Sequence, residues 1–535
     1  MDGSELSLNK CMDTFEDFET ASGLKLNRHK SQALWLGRNG HLRKPICTQF
    51  NIQWPTTPIN VLGVKVSNNP NINISEINYN EKFVIMKDKL APWIGRGLTP
   101  YGRVHLLKTE LISQLVYVMT VLPAPPKPFI KEVEKLMFKF IWGGKKDKVK
   151  RMTLKSKYKG GGLKVPDLAL QAQSLKVTWK GLVTPMLFLN DDITLFHCNT
   201  NAKYIKNTVK NTFWEETCIA WNNINGANLS ATDQLQNSIL WANKDLNIES
   251  NANINRKHLI EKGIIRLADI CNLRKKELMT VNEISQKFGV HPMVSAAIKN
   301  AVPTAWSNKI RNLQRSVNAT SIEQLQNSSK PARWAYSKLL EQVLDTTRGE
   351  KSHTKWEAEL EGGRRLNWPA IYARLHYAVE DVNLKWLNYR CIKRILPTNK
   401  LLFTCNIKDT DRCTYCHQVE TIGHLFWHCH RVRAFWSSIG ELFNERNITY
   451  KVVVTGFEHN DSAVCKRINT ILSLGKQFIW YKRECNSHLS EPTFVTYLYN
   501  YLKVERYAYK INDRETKFND TWGSLFCALA ERVER

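Results

Sequence analysis

The chain has no long apolar run and no recognisable export signal. No stretch of about 18 consecutive apolar residues occurs in the 535 residues, so no segment is predicted to span a membrane as a helix. The N-terminal sequence MDGSELSLNK lacks the basic segment and apolar stretch that are typical of a signal peptide. We therefore expect a protein that is not secreted, that resides in the cytoplasm, the nucleus or both, and that has no membrane partner.

The chain also lacks a disulfide framework. Its 13 cysteines are an odd number and are scattered widely, apart from one cluster that begins at Cys413. Small secreted domains are instead held together by an even set of closely spaced cysteines. We therefore expect reduced thiols.

Acidic residues are scarce relative to basic ones. The 77 lysines and arginines against 49 acidic residues give a formal net charge of +28 and a pI near 9.5. Such an excess predicts a polyanionic partner, and nucleic acid before a membrane, because neutralising phosphates releases bound counterions.

Cysteine and histidine come together between residues 413 and 429. The sequence CTYCHQVETIGHLFWHC has the spacing C-x2-C-x7-H-x4-C through Cys413, Cys416, His424 and Cys429. Zn²⁺ prefers four tetrahedral sulfur and nitrogen ligands, and a C-x2-C turn lets two thiolates reach one ion. Four protein ligands leave no position for an activated water, so the predicted site is structural. The alternative is that these cysteines are ordinary core residues.

Two further histidines compete with His424 as the nitrogen ligand. His428 and His430 flank Cys429 directly. Neighbouring residues of a helix point in different directions, so neither is well placed to share an ion with that cysteine. His424 is therefore preferred.

Apolar residues at helical spacing predict a mainly α fold with some β structure at the N-terminus. Thr99 and Pro100 are typical of a helix start, and the apolar residues that follow predict one buried face: Val104, Leu107, Leu111, Leu115 and Val118. A second helix after the proline-rich break should bury Ile130, Val133, Met137, Phe140 and Ile141. Near the N-terminus, a helix carrying Leu8, Met12, Phe15 and Phe18 or Glu19 is expected to stop at Ser22-Gly23, before a strand-like ALWLG.

A run of positive charge follows the second of these helices. Between Lys145 and Lys164 there are nine basic residues and one acidic residue, Asp147. Flanking glycines predict a mobile hairpin or loop that can follow a phosphate backbone. The candidates for nucleic-acid contact are Lys145, Lys146, Lys148, Lys150, Arg151, Lys155, Lys157 and Lys159. The alternative is a solvated surface run.

A second basic patch is predicted in NLKWLNYRCIKRILPTNKLL, residues 383–402. Trp386, Tyr389, Ile392 and Leu396 share one face of a predicted helix, which Pro397 should end. The candidates for nucleic-acid contact on its other faces are Lys385, Arg390, Lys393 and Arg394.

The pair Asp191-Asp192 in FLNDDITLF is not expected to be catalytic. A two-metal polymerase site needs carboxylates that converge on ions about 3.5–4 Å apart, and no partner carboxylate from an earlier strand is recognisable. An Asn-Asp-Asp cluster is better explained as a turn.

Several segments, in this order, resemble the reverse transcriptase proteins of non-LTR (LINE-type) retrotransposons. They are ASGLKLNRHKS, VLGVKV, LTPYGR, KFIW, LWANKDL, KGIIRLADI, AVPTAW and ILPTNKLL…CTYC…ETIGHLFWHC…FW. The resemblance implies four divisions of the chain. They are a palm segment that follows the catalytic hairpin (1–80), a helical thumb with a basic loop (81–190), a helical connector with Asn-rich loops (191–345), and a basic helix with a zinc-binding module (346–535). The resemblance also implies that Cys413, Cys416, His424 and Cys429 are the zinc ligands.

The same resemblance sets the expected function. In that family an aromatic-Ala-Asp-Asp sequence precedes a DGS-like stretch; here Asp2-Gly3-Ser4 is present without it, as if the first 37 residues were the inside of a larger unit. We expect binding of RNA or an RNA–DNA duplex without polymerase activity by this chain alone, and a need for Mg²⁺ only if the palm were supplied. The alternatives are the C-terminal part of an active RNA-directed DNA polymerase with a misassigned start, a non-functional relic, and a protein-interaction module.

Overall fold

The computed structural model describes most of the chain. The described residues are 2–42, 44–69, 71–187, 211–225, 256–272, 277–311, 327–344, 350–443 and 448–534, together with 238, 240, 241, 243, 246, 248, 324 and 325. They are mainly helical, which confirms the expected fold class. None of the described helices is long and apolar enough to cross a bilayer.

Helices make up nearly all of the regular structure. Those of the first part of the chain are α1 (Glu5–Ser22), α2 (Ile74–Leu90), α3 (Pro100–Leu106), α4 (Ser113–Val121), α5 (Lys127–Ile141), α6 (Arg151–Lys155), α7 (Leu168–Leu187) and α8 (Thr212–Asn225). Those of the middle are α9 (Arg256–Glu261), α10 (Val281–Phe288), α11 (Pro292–Asn300), α12 (Thr304–Arg311) and α13 (Pro331–Val343). Those of the C-terminal part are α14 (Lys351–Glu361), α15 (Trp368–Tyr377), α16 (Val382–Ile392), α17 (Asn399–Thr404), α18 (His430–Leu442), α19 (Tyr450–Thr455), α20 (Ser462–Glu484), α21 (Glu491–Ile511) and α22 (Glu515–Glu534).

Strands are short and paired locally. Strand β1 (Ile59–Val61) pairs antiparallel with β2 (Val64–Val66), and β3 (Cys271–Asn272) pairs antiparallel with β4 (Glu277–Leu278). The first hairpin turns at Leu62-Gly63, where both residues have positive φ, as a tight two-residue hairpin requires.

The chain divides into two compact units. The first contains Met1–Trp93, Thr109–Lys135 and Leu168–Val343, and the second contains Ile94–Lys108, Leu136–Asp167 and Leu344–Arg535. The expected thumb range, 81–190, therefore contributes to both units. The four divisions implied by the family resemblance stay predictions.

The N-terminal helix begins and ends as predicted but buries less than predicted. Ser4 caps α1, and Gly23 ends it in the left-handed conformation. Leu8 and Met12 are buried, whereas Phe15 and Phe18 are exposed. The predicted strand ALWLG was wrong: the residues form no ladder, because the backbone turns at 37–39 instead of continuing extended.

The two helices predicted after Thr99 are confirmed. Thr99 accepts a hydrogen bond from the Gly102 N–H, and α3 continues through a π-helical turn at Leu107–Ile112 into α4. All five residues of the predicted face are buried. On α5 the predicted face is also buried, apart from Ile130, which is half-buried. Phe129, which was not predicted, is buried instead.

Helix α20 runs through the main core of the second unit. Asp461 caps its N-terminus, and thirteen of its residues are buried. Gly475 allows the indole of Trp436, on α18, to lie against it, because a Cβ at Gly475 would be 2.5 Å from that ring. The Trp436 indole also donates to the Phe426 carbonyl, 2.8 Å away. This packing fixes the start of α18, which is where Cys429 lies.

Candidate metal centre and basic surface

The C-x2-C sequence forms a tight turn at the end of a short hairpin. Arg412 and Val419 form an isolated antiparallel bridge, and the Cys413 N–H donates to the Gln418 carbonyl at 2.7 Å. His417 takes a left-handed conformation with φ of 60° and returns the chain towards Cys413. The Tyr415 N–H points at the Cys413 Sγ, 3.4 Å away, so a backbone donor faces the sulfur. This turn directs Cys413 and Cys416 to the same side.

The remaining two predicted ligands come from the next helical segment. His424 opens a π-helical turn, His424–His428, and the Cys429 N–H donates to the His424 carbonyl at 3.1 Å. The His424 Nε2 lies 3.1 Å from the Cys416 Sγ. The wider π turn is what brings a histidine and a cysteine five positions apart to one point.

The four predicted ligands form one cluster that can hold a metal ion. Their ligand atoms all lie within 4.8 Å of one another. Tetrahedral Zn²⁺ with three sulfur ligands and one nitrogen ligand separates them by roughly 3.5–3.8 Å, so a small inward adjustment closes the sphere. Cys413 and Cys429 are each 1% exposed and His424 is 5% exposed. His428 and His430 are exposed and lie outside the cluster.

The sulfur atoms of Cys413 and Cys429 interact with each other and with backbone donors. The Cys413 thiol donates to the Cys429 sulfur, which raises the pKa of Cys413 and lowers the pKa of Cys429. Cys429 lies at the N-terminus of α18, where the N–H groups of Arg431 and Val432 also stabilise its thiolate. Burial lowers the pKa of His424, so its ring is neutral, as a metal ligand must be.

A buried ion pair attaches this segment to α20. Glu420 lies between the two pairs of predicted ligands in the sequence and is fully buried. Its carboxylate accepts hydrogen bonds from the Arg483 Nη2 at 2.5 Å and from the Arg483 Nε at 3.1 Å. The same carboxylate accepts a hydrogen bond from the Asn399 backbone N–H at 2.7 Å. The Asn399 side chain in turn donates to the Arg412 carbonyl at 2.7 Å. Sequence reasoning missed Glu420 and Arg483; the only signal was an acidic residue inside the ligand spacing.

The segment from Lys145 to Lys164, the basic segment, contains no helix or strand from Lys145 to Lys150, and its predicted mobility stays a prediction. It contains α6 and a 3-10 turn at Tyr158–Gly160, and Leu163 and Val165 both donate backbone hydrogen bonds to the Leu154 carbonyl. Its exposed candidates are Lys145, Lys146, Lys148, Lys150, Arg151, Lys157 and Lys159.

Lys155 differs from the rest of the basic segment because it faces inward. Its ammonium group lies 2.7 Å from the Asp167 carboxylate, and the two side chains are 7% and 11% exposed. A buried, paired ammonium is not accessible to an external phosphate in this conformation. The structure therefore gives Lys155 an anchoring role.

The predicted basic helix is shorter and more buried than expected. It ends at Ile392, because Lys393 leaves the helix and Arg394 has a φ of 56°, so Pro397 lies beyond its end. Lys393 is buried and bonds both Glu350 oxygens, at 2.6 and 2.7 Å. Arg394 pairs with Glu359 at 2.5 Å. These two predicted contacts therefore serve the packing of the unit, whereas Lys385 and Arg390 remain half-buried.

Glycine and aromatic contacts join the basic segment to α15 and α16 within the second unit. The Tyr158 ring stacks on the His376 ring with centroids 3.7 Å apart. The Tyr389 hydroxyl donates to the Gly161 carbonyl at 3.1 Å. Gly161 has a φ of 73°, and a Cβ there would be 2.7 Å from both the Lys393 Nζ and the Tyr372 ring. The triple glycine was a signal for this close approach that the sequence analysis interpreted as mobility.

Asp191 and Asp192 lie outside the described residues, so their predicted turn stays a prediction. A scan of the chain against models of known protein families finds no match.

Proposed function

We propose that this chain binds RNA or an RNA–DNA duplex through its second compact unit, in which the cluster of Cys413, Cys416, His424 and Cys429 holds a structural Zn²⁺. We further propose that it corresponds to the C-terminal part of a LINE-type reverse transcriptase, as the ordered sequence resemblance implies. Its contribution is then to hold nucleic acid, whereas polymerisation needs palm aspartates and Mg²⁺.

Zinc is favoured by the kind and number of ligands. Three sulfurs and one imidazole nitrogen suit Zn²⁺, whereas Mg²⁺ and Ca²⁺ prefer oxygen ligands. When bound, the ion would hold the hairpin of residues 412–419 against the start of α18 and would supply no reactive water. The buried pair of Glu420 and Arg483 supports the same segment from the side of α20.

The observation that carries the nucleic-acid proposal is a set of exposed lysines without intramolecular carboxylate partners. Within the described residues, no ion pair is formed by Lys145, Lys146, Lys148 or Lys150, and all four are exposed. A cation that is paired inside the protein gains little from a phosphate, whereas these four ammonium groups are available.

The test is the salt dependence of RNA binding by the full chain. The variant replaces the four lysines with glutamine, and single-stranded RNA binding is measured by fluorescence anisotropy across a range of salt concentrations. Each lost phosphate contact on a single strand reduces the slope of log K against log[salt] by roughly 0.7, so the slope should fall by up to about 3.

A matched control removes the same charge elsewhere in the second unit. It replaces four exposed basic residues of α21, α22 and the turn between them with glutamine: Lys503, Lys510, Arg514 and Lys517. The proposal predicts a much smaller change of slope in the control. Equal changes in the two variants would mean that net charge alone attracts RNA, and no salt-dependent binding by the unaltered chain would reject the proposal.

A further inference from the structure

Arg390, on α16, is held by aromatic rings and has no carboxylate partner. Its guanidinium carbon lies 5.8 Å from the centre of the Trp386 ring and 5.7 Å from that of Trp480. Within the described residues it forms no ion pair, and its Nε is buried without a hydrogen-bond partner. Burial lowers the pKa of Arg390, and the Glu484 carboxylate, which forms no ion pair with it, partly opposes this effect.

This absence of a partner sets Arg390 apart from its neighbours. Lys393 and Arg394 follow it in the chain, and each contacts a carboxylate at 2.7 Å or less. Leaving a half-buried guanidinium without an anion is costly, because its desolvation is not compensated. Stacking on tryptophan recovers part of that cost and also fixes the plane of the guanidinium. Such an arginine is prepared for an external anion.

A residue just before the basic segment lies close to the tryptophan that supports Arg390. This residue is Trp142, and the Trp142 ring is 6.3 Å from the Trp386 ring that supports Arg390. Lys148 is near enough to Lys145 and Arg390 for their charges, after burial, to lower its pKa. Three cations from two separate stretches of the second unit therefore share one region, and like charges gather at this density when an anion is to be bound.

We infer that Arg390 is a phosphate-binding residue of the same RNA-binding surface as the basic segment. The inference rests on the proposed function and deepens it. It names Arg390 as the residue through which α16, in the part of the unit that contains the cysteine cluster, contacts the same strand as the basic segment. A planar guanidinium can donate two parallel hydrogen bonds to a phosphate.

The position of Arg390 also depends on the metal-binding segment. Trp480 lies on α20, and the Arg483 guanidinium stacks on its ring with 4.7 Å between the guanidinium carbon and the ring centre. Arg483 is in turn bonded to Glu420. A set of contacts therefore runs from Glu420, which lies between the predicted ligands in the sequence, to the tryptophan that supports Arg390.

The experiment measures binding of a single-stranded homopolymeric RNA by the full chain, across a range of salt concentrations, for the single variants Arg390→Gln and Lys148→Gln. Removing a charge-assisted contact should weaken binding about tenfold in each single variant and reduce the salt slope by roughly 0.7.

Two controls keep the outcome interpretable. Lys510→Gln removes one exposed charge from α21 and should change affinity less than twofold. Arg390→Lys retains the charge but loses the planar donor pair, so it should retain the slope and weaken binding several-fold. It also serves if Arg390→Gln fails to fold, as judged by circular dichroism.

The outcomes separate the two proposals. Unchanged RNA affinity in Arg390→Gln, with an intact fold, overturns the inference and leaves the proposed function standing. Absence of salt-dependent binding by the unaltered chain rejects the proposed function, and the inference with it.

Discussion

Replacing Glu420 with glutamine tests how the metal-binding segment is attached to the core. Glutamine has nearly the same size and shape, so the change removes the negative charge and leaves the packing almost unaltered. The partner, Arg483, would then be a buried cation without its counter-charge. The two side chains are 0% and 5% exposed, so water cannot replace the lost interaction.

The expected loss of free energy of unfolding follows from this burial. Removing one partner of a buried ion pair typically destabilises a protein by about 3–5 kcal/mol. Glutamine can still accept a hydrogen bond from Arg483, so we expect a value near the lower limit, about 3 kcal/mol. For a cooperative unit of roughly 150–250 residues, each kcal/mol lowers the Tm by about 2–4 °C. The Tm of the second unit should therefore fall by roughly 6–12 °C.

The assay is thermal unfolding of the full chain, followed by circular dichroism, with Glu361→Gln as the matched control. Glu361 pairs with Lys451 at 2.5 Å, but the two side chains are 24% and 51% exposed. Solvent screening limits such a pair to about 1 kcal/mol or less. The apolar double variant Glu420→Leu with Arg483→Met should recover much of the loss, because it leaves no unpaired buried charge.

Equal shifts of Tm in Glu420→Gln and Glu361→Gln would refute this reasoning. So would a double variant that is less stable than Glu420→Gln, because uncompensated charge would then not be the cause of the loss.

Three further predictions concern glycine and histidine positions. Gly161→Ala should cost about 3 kcal/mol, because the added Cβ meets buried side chains at 2.7 Å, whereas Gly144→Ala, with a φ of 79° and open space, should cost only about 1–2 kcal/mol in chemical denaturation. Gly475→Ala should destabilise by about 1–3 kcal/mol through overpacking against an indole at 2.5 Å, whereas Gly523→Ala, with its closest contact at 3.7 Å, should be neutral or slightly stabilising; similar Tm values for the two would contradict this. Burial lowers the pKa of His353 from 6.5 to about 4. Between these pH values the unfolded chain binds a proton at His353 and the folded chain does not, so the free energy of unfolding falls as the pH decreases. By pH 5 this loss should reach about 2 kcal/mol in urea unfolding, and His353→Gln should flatten the dependence.

The sequence predicted the helices well where strong local signals and burial agree. Thr99 and Pro100 begin a helix as capping chemistry requires, and the apolar positions that follow are buried at the predicted spacing. Phe15 and Phe18 show the limit of the same rule. Their spacing is helical, but spacing alone does not tell whether a partner covers the face.

The cluster of Cys413, Cys416, His424 and Cys429 was predictable because the four residues lie within seventeen positions and follow a spacing that is typical of zinc sites. Its attachment was not, because Glu420 and Arg483 are 63 positions apart and no local pattern pairs them. The prediction that the basic side chains at the end of α16 are exposed was wrong for a similar reason. Lys393 is charged and therefore predicted at a surface, yet Glu350, 43 positions away, allows it to be buried.

The most direct test of the account is the metal content of the purified full chain. Mass spectrometry for metals should find one zinc per chain, and X-ray absorption should show three sulfur ligands and one nitrogen ligand. The variant with Cys413→Ser and Cys416→Ser should lose the ion, whereas replacing the exposed Cys405 and Cys485 should retain it. A chain without bound zinc, or equal zinc in both cysteine variants, would contradict the account.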